Sequence, residues 1–252
     1  MNAKKLSFLL LILVAVACTN RSTSSEQDEM RHWNNVLQQI NALLLENKAR
    51  QTLDLAKQTL PEILESAEKN GTTDTLIYYA RKIFNACGNN YINTKQYKDG
   101  IDYMDSIGNH PLIREHCPHE LLSFKAGLNQ LYGNNPEAVR LAEDYLQLPV
   151  CTSANDFIRQ AEIISGVYMY SGNNLPKANQ ILEKAIDVYR KGGNFPNMLR
   201  IMSRLGIYYH LSGEYEKAIA TNQEAIATYN DSIAPGNVVI AYGEQANLYA
   251  EL

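Results

Sequence analysis

The chain of 252 residues is poor in tryptophan, with one, and in cysteine, with four, and it shows no strand-like alternation of apolar and polar residues. It has no GxSxG elbow, no HExxH, no GxGxxG, no P-loop and no CxxC, which removes the usual signatures of hydrolases, zinc peptidases, nucleotide-binding enzymes and dithiol oxidoreductases. Positive charge is also short, at 23 Lys+Arg against 27 Asp+Glu, which argues against nucleic acid. The apolar run Leu6 to Val16 is too short to cross a bilayer core, which takes ~20 apolar residues in a helix.

That run follows Lys4 and Lys5 and ends at small residues, the layout of an export signal. The stretch Ala15-Val16-Ala17-Cys18 resembles the lipobox of bacterial lipoproteins, with Ala15 where that family prefers Leu. The resemblance implies cleavage before Cys18 and lipidation of its thiol, so residues 1–17 are expected to be a signal peptide. Several acyl chains give stable anchoring, because each buried methylene contributes about 0.8 kcal/mol. Removing 1–17 takes away two lysines and no acid, leaving 21 cations against 27 anions, a net charge of -6. Residues 18–28 hold almost no apolar surface and are expected to be a flexible tether. The expected location is the cell envelope, on the outer-membrane or periplasmic side.

The main signal is internal repetition. Leu205-Gly206, Tyr209, Gly213, Tyr215, Ala218 and Ala225 carry the spacings of the tetratricopeptide consensus, and Tyr168, Gly172, Ala178, Ala185 and Tyr189 reproduce them 40 or 41 residues earlier. Ala138 and Tyr145, with Gly133, continue the frame backwards, as do Gly88, Tyr91, Tyr97 and Gly100. The chain is therefore similar to tetratricopeptide repeat proteins. The fold class expected is all-α: a right-handed αα-superhelix, a solenoid of antiparallel helix pairs. Small residues such as Gly206, Ala218 and Ala225 let two helices approach, while Tyr209 and Tyr215 fill the wedge between repeats. Sixteen tyrosines suit that use.

The pattern predicts helices near 29–46, 49–69, 73–92, 96–107, 118–132, 136–147, 154–171, 176–191, 196–212, 215–231 and 237–250. Residues 29–72, marked by Leu43-Leu44-Leu45, Leu53, Leu60 and Leu64, form an atypical N-terminal pair, and 73–252 hold the repeats. Pro196 and Pro235 read as helix breakers in matching connections. Asn237 to Ala250 aligns with the first helix of a pair, which leaves two readings open: a capping helix, or a chain shortened from a longer relative.

His110, His116, Cys117, His119 and Glu120 form the one dense cluster of metal-ligand types. Pro118 marks a helix start beside an exposed loop, and no second ligand pair completes a tetrahedral set, so no metal or other cofactor is expected. Besides Cys18 the mature chain keeps Cys87, Cys117 and Cys151, an odd number that cannot all pair internally.

In this family the first helix of each pair lines a concave groove. The register places Arg159, Arg200 and Arg204 there, with Tyr170 and His210 further along their helices, a set suited to an acidic or C-terminal peptide group. The Lys/Asn clamp that some relatives use for a peptide carboxylate does not recur. The expectation is a non-enzymatic protein that binds another protein or peptide and meets the membrane through its N-terminal lipid, with no nucleic acid and no small-molecule substrate. The alternative is the N-terminal sensory region of a repeat-containing regulator.

Overall fold

The computed structural model describes residues 27–149, 154–228 and 235–251, and all their side chains except those of 154–159, 235 and 237. The signal peptide, Cys18, most of the tether, Cys151 and Leu252 lie outside these residues. Every regular element among them is helical, as expected, and no helix among them is long and apolar enough to cross a membrane.

The chain divides into two compact units, up to Asn90 and from Tyr91. The first holds α1 (27–45), α2 (Ala49–Asn70) and most of α3 (Asp74–Asn93). Helix α1 already covers Gln27 and Asp28, which sequence composition assigns to the tether. Its buried stripe is Trp33, Val36 and Ile40, at the i, i+3, i+7 spacing of one helix face, and Trp33 packs on Tyr79 with ring centroids 6.0 Å apart. Leu44 and Leu45, which mark this pair in the sequence, are exposed: they stand in the last turn, past that stripe. Leu53, Leu60 and Leu64 of α2, which mark it too, are buried. Ser66 donates to Glu29 at 2.9 Å, tying the two helices.

The second unit holds α4 (Tyr97–Ile107), α5 (Pro111–His116), α6 (Pro118–Tyr132), α7 (Asn135–Gln147), α8 (Ala154–Tyr170), α9 (Leu175–Gly192), α10 (Phe195–Leu211), α11 (Tyr215–Thr228) and α12 (Pro235–Glu251). Short connections make α6/α7, α8/α9 and α10/α11 antiparallel pairs, and each pair packs on the next. One apolar core runs unbroken from Ala126 in α6 to Leu248 in α12. Proline starts these helices rather than ending the previous ones: Pro118, Pro136, Pro176 and Pro196 occupy first or second positions, where the missing N–H costs nothing.

Helix α5 is absent from the sequence-based set. It is one and a half turns long, too short for a periodic signal, and replaces the loop expected before α6. His110 caps it, Nδ1 accepting from the Leu112 amide at 3.2 Å, while Leu112, Ile113 and Cys117 are fully or nearly buried. Cys87 is buried as well.

The small residues sit where two helices touch. A Cβ on Gly206 would stand 2.3 Å from Oδ1 of Asn222 on α11, and Ala178, Ala185, Ala218 and Ala225 are all buried. The turn after α10 closes on Gly213 at φ +75, a backbone region that suits glycine.

The tyrosine wedges carry charge with them. Tyr209 donates to Glu183 of α9, and Lys217 of α11 lies 5.2 Å from its ring centroid. One repeat earlier, Lys177 lies 5.1 Å from the Tyr168 ring and 2.5 Å from Glu143 of α7. Burial, then the glutamate in each case, raises both phenols well above the ordinary tyrosine value. The Tyr209 phenol therefore stays neutral and donates its hydrogen bond between two charges of opposite sign.

Replacing helical Gly206 by Ala gains about 1 kcal/mol in propensity on an open helix face. Here the overlap with Asn222 reverses the sign, and Gly206→Ala is expected to cost 1–3 kcal/mol, roughly the overpacking range. Urea unfolding of this variant, of Asn222→Ala and of the double variant checks it: the double variant should lose less than the sum of the singles.

Candidate protein-binding face of the first helices

The first helices of successive pairs are neighbours, α6 with α8, α8 with α10 and α10 with α12. Their shared face is where the sequence places the binding residues. Arg200 and Arg204 stand one turn apart on α10 and both reach α8. Nη2 of Arg200 lies 3.2 Å from a carboxylate oxygen of Glu162, and Nη1 of Arg204 donates to the Glu162 carbonyl at 3.3 Å.

The Glu162 side chain is 6% exposed while that of Arg200 is 44% exposed. Arg200 thus pairs with the buried carboxylate while Arg204 holds the backbone carbonyl of the same residue, so two guanidinium groups stand beside one carboxylate. Tyr208, beside Arg204 and Tyr170, has its phenol raised mainly by burial, with Arg204 pulling the other way. Tyr170 itself is 65% exposed. Arg159 has its backbone in α8, and its side chain lies outside the described ones.

His210 stands apart from this group. Its ring is turned to α12, Nδ1 at 2.5 Å from Glu244 and Nε2 at 2.9 Å from Glu251, with its ring centroid 5.9 Å from that of Tyr215. Both nitrogens serve the junction of α10 with α12. A carboxylate on each side favours the imidazolium, Glu251 most, and raises its proton affinity above the ordinary histidine value.

The residues of the His/Cys cluster are dispersed by the fold. His110 caps α5, while His119 binds the Pro149 carbonyl at 2.7 Å and stacks edge-on to Tyr145. Among the described residues no three His, Cys, Asp or Glu side chains are grouped to hold a metal. A cavity of ≈ 300 Å³ opens near His119, lined by Tyr145, Ile181, Val188 and Lys184, away from the arginines.

Two parts of the site escaped sequence reasoning. Glu162 is one; nothing in its neighbourhood marks it as the buried partner of arginines some forty residues on. The second is a row of exposed apolar residues, Leu131, Tyr170 and Leu211, each two residues before a turn glycine, Gly133, Gly172 and Gly213. That offset was visible in the repeat frame, and it puts an apolar side chain at the end of three successive first helices.

Residues 161–231, most of α8 through α11, match the tetratricopeptide repeat family. Residues 161–231 are tetratricopeptide repeats. Solved structures agree in fold: BtubC (BKLC) from P. vanneervenii is similar over 80% of this chain and 83% of its own, with TM-score 0.60 and 11% identity. A variant form of a putative kinesin light chain of Podosopora anserina, with nearly identical TPR-like repeats, is similar over 77% and 93%, with TM-score 0.51 and 12% identity. No curated protein matches the chain in sequence. A tetratricopeptide array is a protein–protein interaction scaffold, its stacked pairs building an extended surface rather than a closed active site.

The folded His210 holds its proton more tightly than the unfolded one. Its ion pairs therefore stabilise the docking of α12 fully below the unfolded value, near ~6.5, and the contribution is lost as pH rises through the folded value. The melting advantage of the wild type over His210→Gln should accordingly be largest at about pH 6 and shrink toward about pH 8.5. A constant difference across that range would show that the ring binds its proton equally well folded and unfolded, and that the carboxylates do not raise its affinity.

Proposed function

We propose that this tetratricopeptide repeat protein is a lipid-anchored scaffold of the bacterial envelope, whose first-helix face captures an acidic segment of another protein. The surplus positive charge of Arg200 and Arg204 over Glu162, beside the exposed row Leu131, Tyr170 and Leu211, carries this reading. An acidic segment with interspersed apolar side chains matches both features: carboxylates meet the guanidinium forks and apolar groups cover the row. The sequence supplies the rest. Lys4-Lys5, the short apolar run and Cys18 after a small residue support export and lipidation, and the net charge of -6 left on the mature chain suits an acidic ligand only at a local cationic site.

Crosslinked capture from cells tests the face. Arg200→Gln with Arg204→Gln should weaken capture of a discrete partner about tenfold or more, since a hydrogen bond to a charged group contributes roughly 1.5–3 kcal/mol. Unchanged helicity must accompany the loss, because removing both partners of buried Glu162 also bears on stability. Retained capture removes the arginines from the site.

The anchor has its own test. The wild-type protein should partition into the detergent phase, and Cys18→Ser should move it to the aqueous phase. A wild-type protein found in the aqueous phase would mean ordinary secretion.

A further inference from the structure

Pro149 breaks the regularity of the second helices. It holds Leu148 in extended backbone, ψ 149, and so ends α7 at Gln147. Helix α9 begins at the matching position, 40 residues on, and runs for 18 residues against the 13 of α7. Its last turn therefore reaches past the end of its neighbour. The cavity of ≈ 300 Å³ lies at this step. The end of α7 and its exit supply Tyr145, Leu148 and Pro149, and α9 supplies Ile181 and Val188. His119 of α6 fixes the first of these walls, bound to the Pro149 carbonyl at 2.7 Å and edge-on to Tyr145.

The mouth of the cavity is cationic. Lys184 and Lys191, both exposed and two turns apart on α9, line it with Asp187 between them. The acids of this stretch are engaged elsewhere: Arg190 takes Asp187 at 3.0 Å, and Glu183 accepts from Tyr209. Among the described residues no carboxylate lies within ion-pair reach of either lysine.

We propose that this cavity binds a small amphipathic acid, its aromatic or short aliphatic body between Tyr145, Leu148 and Val188 and its one anionic group at Lys184 and Lys191. The volume stands at the small end of the range for ligand cavities, roughly 300–1,000 Å³, which sets the size of the molecule. The walls set its character. The Tyr145 hydroxyl is spent on Gln160 at 3.3 Å and the Pro149 carbonyl on His119, so they offer little to a peptide backbone and suit a hydrocarbon body. Burial of that body supplies the affinity, and two lysines without a carboxylate of their own select the charge. The first helices take no part, so failure of either site leaves the other standing.

Anilinonaphthalene sulfonate, an aromatic body with one anionic group, serves as the probe, titrated by fluorescence against the whole protein. One saturable site is expected. Val188→Trp and Leu148→Trp each fill the cavity from one side, and either should abolish that site with helicity unchanged by circular dichroism. Lys184→Gln with Lys191→Gln should weaken it about fivefold, the scale of two exposed charge pairs, and leave the affinity for the neutral analogue phenylnaphthylamine unchanged. No saturable binding overturns the proposal, as does binding that survives both tryptophan variants and so lies on another apolar surface. An unchanged sulfonate affinity in the lysine variant, or an equal loss for the neutral dye, overturns it too, because the lysines then do not read the charge.

Discussion

An antiparallel pair of helices of some 15 residues cannot cover its own apolar faces, and this one constraint organises the molecule. Each pair is completed by the next, so the core has no centre and runs as a strip from Ala126 to Leu248. The close approach at Gly206 and the buried alanines that repeat every 40 residues keep the two helices of a pair near enough for that strip to be continuous. Whatever the array binds meets faces that stacking leaves open, such as the row of first helices on the side.

The joints between pairs carry more than apolar contact. Tyr168 and Tyr209 are buried at two successive joints, and around each the fold places a glutamate from the preceding second helix and a lysine from the following one. At Tyr209 burial alone would leave the hydroxyl costly; hydrogen bonded to Glu183 and flanked by Lys217 it becomes a register mark, because a slip of one helical turn would separate all three groups. Exposed ion pairs such as Arg190 with Glu224 at 2.7 Å add little beside this, since pairs in water contribute roughly 0–1 kcal/mol.

Much of this was legible in the sequence because repetition amplifies weak signals. Gly206, Ala218, Ala225, Tyr168 and Tyr209 each mean little alone, but their recurrence at one spacing gave the helix pairs, the core residues and eleven of the helices within a residue or two wherever both ends are described. What has no counterpart 40 residues away was not legible. Helix α5 is a single insertion, and the leucines at the end of α1 follow a face that the preceding Trp33, Val36 and Ile40 set. The candidate site residues were named from the sequence without the partners that the fold gives them. Residue type does not say that Arg200 and Arg204 meet a buried Glu162, nor that His210 is held by two carboxylates of α12. Those pairings depend on which side chains a neighbouring repeat brings within about 4 Å, the usual reach of an ion pair.

The central claim is that stability comes from neighbouring interfaces and falls off where a face has no neighbour. Native-state hydrogen exchange resolved helix by helix tests it directly. The account predicts strongest protection in α8, α9 and α10, which have packed neighbours on both sides along the array, and weakest protection in α12 among the helices of the second unit. Equal protection from α6 through α12 would contradict it, showing one cooperative core and no open end.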